Sequence, residues 1–189
     1  MSATHPSFHP HNWEERRRWQ NPEAILSDIG LKPGDVFMDL GCGDGFFAIP
    51  AAHMVGETGK VYALDISLEP INMLRERAER EGLTNIELTV GRAERTVLCG
   101  SCADIVFFGI DLHDFAYPNL VLKNARVMIK PEGRLVDVDW RKEEMPLGPP
   151  LAIRFDEAKT AGLIHEAGFD ILETRQLPPY HYMIIAVPV

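Results

Sequence analysis

The run Val36-Phe37-Met38-Asp39-Leu40-Gly41-Cys42-Gly43-Asp44-Gly45 constrains this chain more than any other stretch. A short apolar run carrying one acid closes on three glycines at alternate positions, the pattern of a buried strand that ends in a tight loop opening a helix. Glycines let the backbone approach a ligand, and the helix behind them directs N–H groups at its polar part. Asp65, twenty residues after Gly45, ends a second apolar run with a carboxylate able to accept two hydrogen bonds from a ribose diol. Together the two features describe a site for an adenosine-containing ligand.

Further along, strand and helix signals alternate. Pro22 after Asn21 opens a helix that Gly30 ends, and Lys32-Pro33-Gly34-Asp35 turns the chain into the first strand. The glycine loop should lead into a helix from Gly45 to Val55, kinked at Pro50 because proline removes one helical hydrogen bond. Val61–Asp65 reads as a second strand, Ser67 caps a helix running toward Gly82, and Ile86, Leu88 and Val90 alternate as a third strand. Ile105–Phe108 is continuously apolar, as a strand covered on both faces is. A helix over Asn119–Ile129, a turn at Lys130–Gly133 and a strand over Arg134–Val138 follow. The chain closes with a helix over Asp156–Ala167 and strands at Asp170–Gln176 and Tyr182–Val187, whose short link fits an antiparallel hairpin. This order predicts an α/β fold, a mostly parallel sheet with helices on both faces.

In such sheets ligands bind beyond the carboxyl ends of the strands. That rule selects Gly41–Gly45, Asp65 and Ile66, Gly91–Glu94, Gly109–Asp114 and Asp139–Arg141. A dinucleotide fingerprint would need a third glycine where Phe46 stands, which disfavours an NAD-dependent oxidoreductase. Asp39 places a negative charge beside the loop, better suited to an ammonium or a sulfonium than to a phosphate.

Asp39-Leu40-Gly41-Cys42-Gly43-Asp44-Gly45, with Asp65, Gly91-Arg92-Ala93-Glu94 and Lys130-Pro131-Glu132-Gly133-Arg134, closely resembles the class I S-adenosylmethionine-dependent methyltransferases. Among these the chain is similar to the small-molecule enzymes of ubiquinone and menaquinone biosynthesis. The resemblance implies a single Rossmann-like domain over residues 21–189, after an N-terminal arm of residues 1–20. Its doubly wound sheet would have seven strands in the order 3-2-1-4-5-7-6, with strand 7 antiparallel. The implied cofactor is S-adenosylmethionine. Gly41, Gly43 and Gly45 would pass under its methionine part, Asp39 would help hold the amino group, and Asp65 would bind the ribose hydroxyls. Ile66 would pack on the adenine and Ala93 and Glu94 would read its edge. Arg92 stands where the family often has Asp.

Methyl transfer from a sulfonium is an in-line displacement, and a base helps only when the acceptor must lose a proton. His113, beyond the fourth strand, is the candidate catalytic base. Trp140, Tyr180 and His181 are candidate substrate-binding aromatics. No metal site is expected, because Cys99-Gly100-Ser101-Cys102 offers two ligands without a second pair and precedes a strand, on the edge away from the ligand. The alternative to an enzyme is a module that binds S-adenosylmethionine without turning it over.

Composition narrows the partners. Nineteen basic against twenty-eight acidic residues give a formal charge of −9, which argues against nucleic acid and for a small-molecule partner. The basic cluster Arg16-Arg17-Arg18 reads as a solvated helix face. Met1–Asn12 reads as a mobile arm. With neither a secretory signal nor an integral membrane segment in the sequence, a cytoplasmic location is expected.

Overall fold

The computed structural model describes residues 12–189. The mobile arm expected at Met1–Asn12 falls outside the described residues, save Asn12. The first elements are helices α1 (Trp13–Arg17) and α2 (Pro22–Asp28). Strand β1 (Val36–Leu40), helix α3 (Ala48–Val55), strand β2 (Lys60–Asp65), helix α4 (Leu68–Arg80) and strand β3 (Ile86–Val90) follow. The second half contains β4 (Ala103–Gly109), α5 (Pro118–Met128), β5 (Ile129–Trp140), α6 (Glu157–Glu166), β6 (Phe169–Leu177) and β7 (His181–Pro188). The seven strands form one sheet in the order β3-β2-β1-β4-β5-β7-β6, with β7 antiparallel to both neighbours, as the sequence led us to expect.

Period-two alternation in the strands sorts their side chains onto two buried faces. Phe37, Val61, Ile105, Phe107, Val136 and Met183 face one way and pack with α2, α3 and α4. Met38, Leu40, Val106, Phe108, Leu135 and Ile184 face the other way and meet α5 and α6. Asp39, two residues after Phe37, therefore points to the α3 side. Asp137 and Asp139, in step with Leu135, point to the α5 side.

Two local expectations are corrected. Helix α3 begins at Ala48 rather than Gly45, so Pro50 lies in its first turn, where helical N–H groups lack intrahelical partners, and no kink is required. The turn read at Lys130–Gly133 is a register shift inside β5: Ile129 pairs with Ala103 and Arg134 with Ile105, so the extra residues bulge without ending the strand.

Candidate functional site

Gly41 and Gly43 follow β1 with φ of +89° and +53°, which turn the loop sharply back across the strand ends. Asp65 holds this loop in place, its Oδ2 accepting the Gly43 N–H at 2.9 Å and its Oδ1 the Ser67 N–H at 2.8 Å. Two cavities open here. The larger, about 340 Å³, is lined by Asp65, Ile66, Arg92, Ala93, Glu94 and Phe115, among others. The smaller, about 210 Å³, is lined by Arg16, Asp39, Gly43, Asp44, Phe46 and Ile110, among others. Both share Gly41, Asp111 and Asp114, so they form one bent groove of small-ligand size across the carboxyl ends of β1, β2 and β4.

The bend of the groove is acidic. Asp39 is 2% exposed and its Oδ2 has no hydrogen-bond partner among the described residues. Burial raises its pKa to about 7, against the pull of Arg16 and with the repulsion of Asp65. Asp111 is half-buried as a residue, but both its carboxylate oxygens are buried and have no hydrogen-bond partner among the described residues, and burial, with repulsion from Asp39 and other acids, pushes its pKa well above the usual range. Ile110 turns Asp111 inward: its φ is +69°, a strained value for a β-branched residue, and its N–H donates to Val138 O at 2.7 Å. Asp111 fills the space a side chain at residue 41 would need, since a Cβ on Gly41 would stand 1.8 Å from Asp111 Oδ2.

The predicted residues separate into three groups. Asp39, Gly41, Gly43, Asp65, Ile66, Ala93 and Glu94 come together around the groove. Gly45 lies outside its lining; a Cβ there would meet Leu74 Cδ1 at 2.3 Å, so this glycine admits α4 against the loop. Trp140 and His181 are each 1% exposed and also lie outside the lining, in an aromatic stack with Trp19. Burial, with Arg16, Arg141 and Arg154 nearby, holds His181 at a pKa of about 3, and its Nε2 has no hydrogen-bond partner among the described residues. Tyr180, half-buried and the most open of the three aromatics, lines neither cavity and packs against Trp19, Trp140 and His181.

His113 is buried with its Nδ1 2.7 Å from Asp139 Oδ1, a carboxylate that also accepts the Trp140 N–H. Burial opposes charge on His113, but the Asp139 hydrogen bond and the charges of Asp139 and Asp114 outweigh it and raise the pKa. Nε2 lies 3.4 Å from Asp114 Oδ1, and Asp114 lines both cavities. Away from the groove, Cys99 and Cys102 are joined as a disulfide before β4.

Sequence reasoning missed Arg16. Within the basic run it reads as solvated, whereas it is 8% exposed with its guanidinium 3.9 Å from the Phe46 ring centroid. The available signal was spacing: Trp13, Arg16 and Gln20 stand at i, i+3 and i+7, one face of a helix. Trp13 donates its indole N–H to Asp44 at 3.0 Å and lies under the Arg77 guanidinium, so α1 docks on the glycine loop.

A family model described as a methyltransferase domain matches residues 31–168, and the chain belongs to this family, the class I S-adenosylmethionine-dependent methyltransferases. In fold it is similar to a SAM dependent methyltransferase from Aquifex aeolicus, with a TM-score of 0.89 and 29% identity over 96% of this chain and 100% of that one. In sequence it is 30% identical over 132 residues to the ubiquinone/menaquinone biosynthesis C-methyltransferase UbiE of Hydrogenovibrio crunogenus, covering 69% of this chain and 51% of that protein. A demethylmenaquinone methyltransferase from Bacillus mycoides is 28% identical over 134 residues, covering 71% and 56%. The chain thus spans about half the length of these curated relatives.

Proposed function

We propose that this protein transfers a methyl group from S-adenosylmethionine to a small-molecule acceptor. The carrying observation is the pair of buried carboxylates, Asp39 and Asp111, whose unpartnered oxygens border the groove beside Gly41. A cation bound there would draw on both carboxylates in their ionised form and offset the cost of burying them. When bound, S-adenosylmethionine supplies an electrophilic methyl on a sulfonium.

Asp39 and Asp111 hold the ammonium end, with Gly41 and Gly43 leaving room for the methionine chain. Asp65 has lone pairs left after its two backbone bonds and offers them to the ribose hydroxyls. Ile66 flanks the adenine, 55% exposed in the free protein and so available to a flat ring. Ala93 and Glu94 border its edge. Where an acceptor must lose a proton, Asp114 takes it at the groove and His113 carries it at Nε2, because Nδ1 is committed to Asp139. Tyr180 meets the acceptor, and Trp140 and His181 support it from behind.

Calorimetry with S-adenosylmethionine tests the binding site: Asp65→Ala should weaken binding by about tenfold or more, and undiminished binding would remove the ribose assignment. Methyl turnover on a panel of small hydroxyl, amine and carbon acceptors tests catalysis. A wild-type protein that binds the donor but turns over nothing across such a panel is the non-catalytic module instead. Among the described residues no helix is long and apolar enough to cross a membrane. A cytoplasmic location belongs to our reading and is checked by cell fractionation.

A further inference from the structure

The cysteines of the chain fall into two settings. Cys42 is free and buried, whereas Cys99 and Cys102 form a disulfide and are half-buried, with the exposed Gly100 and Ser101 between them. A bridge across so short a loop constrains the unfolded chain little, which makes it a poor structural staple. What it does constrain is local. Ser101 has a φ of +48°, left-handed backbone that serine seldom adopts. Its N–H donates to Val127 O at 2.9 Å, and the Cys102 N–H donates to Met128 O at 2.9 Å.

The bridge stands at one end of a connection whose other end borders the groove. From β3 the chain passes through Arg92, Ala93 and Glu94, which line the larger cavity, makes one helical turn at Ala93–Arg95 and runs on to Cys99. Helix α5 holds this connection at both ends. Asn124 donates to Ala93 O at 2.7 Å, and the Val127 and Met128 carbonyls take the Ser101 and Cys102 N–H groups at the bridge. Leu98, Cys99 and Cys102 also pack against the core that contains Val121, Ala125 and Met128. Freeing the cysteines therefore loosens backbone that is continuous with the cavity wall.

We propose that Cys99 and Cys102 are a thiol–disulfide exchange site that controls the groove, the oxidised protein binding its adenosyl ligand more tightly than the reduced protein. A thiolate of an external dithiol attacks one sulfur, breaking the Cys99–Cys102 bond and forming a mixed disulfide. The reductant's second thiolate then attacks the first in that mixed disulfide and releases the remaining cysteine. The protein gains two electrons and two protons as a pair of thiols, and the reductant becomes a disulfide. Linkage makes the control reciprocal, so a ligand that prefers the oxidised form lowers the pair's reduction potential by about 30 mV for each tenfold of preference. The control of binding rests on the cofactor reading above, and the exchange chemistry stands apart from it.

The test is calorimetry with S-adenosylhomocysteine on the full chain, oxidised and after reduction by excess dithiothreitol, with the thiol state read by alkylation and mass spectrometry. Reduction should free the Cys99 and Cys102 thiols and weaken binding by about tenfold. In dithiothreitol redox buffers, added ligand should then lower the potential of the pair by about 30 mV. The double variant Cys99→Ser, Cys102→Ser should bind as the reduced protein does and ignore dithiothreitol. A response to dithiothreitol that persists in this variant overturns the proposal, as does a bond that excess dithiothreitol leaves intact in the folded chain. Reduced protein that has lost its cooperative urea transition overturns it as well. Equal affinity in the two thiol states overturns the control while the cofactor reading stands, and protein that binds S-adenosylhomocysteine in neither state overturns both.

Discussion

Gly41 is tested by the smallest possible change. An alanine there must place Cβ where the Asp111 carboxylate sits, at a φ that side chains rarely adopt. Gly41→Ala should lose about 1–3 kcal/mol of stability in urea unfolding and most of its affinity for S-adenosylmethionine. Asp39 makes a pH prediction. Its folded pKa, about 7 against an ordinary 3.8, means that the folded chain holds this proton more tightly than the unfolded chain does. Stability of the free protein should therefore fall as pH rises from about 4 to about 7, by up to about 1.4 kcal/mol per pH unit from this group. Asp39→Asn should flatten that slope in denaturation curves. A cationic ligand favours the ionised carboxylate, so binding should tighten over the same range and release protons, measured by calorimetry in buffers of different ionisation enthalpy. Asp39 was visible in the sequence as a candidate, and Asp111 only as part of the stretch Gly109–Asp114 after the fourth strand. Their lack of partners was not, because it depends on Ile110 turning the β4 loop inward.

Helix α1 is too short to be stable alone and is held by what it docks on. Trp13 supplies that contact through Asp44, Arg77 and the edge of Phe46, at 5.7 Å between ring centroids. Trp13→Ala should cost about 1–3 kcal/mol and raise amide exchange across residues 13–20. Helix α6 provides the contrast. Asp156 caps it by accepting the Lys159 N–H at 2.8 Å and lines neither cavity. Asp156→Ala should cost about 1 kcal/mol and leave cofactor affinity unchanged. The elements themselves were readable because each announces its ends locally: Asn21 and Pro22 before α2, Gly82 after α4, Gly168 after α6. The start of α3 and the bulge in β5 were misplaced because tertiary pairing, not the local residues, sets them.

For the whole molecule, the formal charge of −9 and the acidic groove attract a cationic ligand over a distance that salt shortens. Raising ionic strength from about 20 mM to about 500 mM, which shrinks the screening length severalfold, should slow association of S-adenosylmethionine. The effect on S-adenosylhomocysteine, which lacks the sulfonium charge, should be smaller; stopped-flow binding distinguishes the two. Sheet order and the antiparallel β7 followed from the strand–helix alternation together with the family resemblance carried by Asp39–Gly45. By itself the sequence determined the elements, the glycine loop and the place of Asp65 at the end of its strand, because backbone conformation and side-chain periodicity are properties of neighbouring residues. Only the tertiary structure decided that Arg16 is buried while Arg17 and Arg18 are solvated, that Gly45 serves packing, and that Trp140 and His181 are buried outside the groove's lining. Those outcomes depend on which distant surface covers a side chain, and that is set by contacts between residues far apart in sequence.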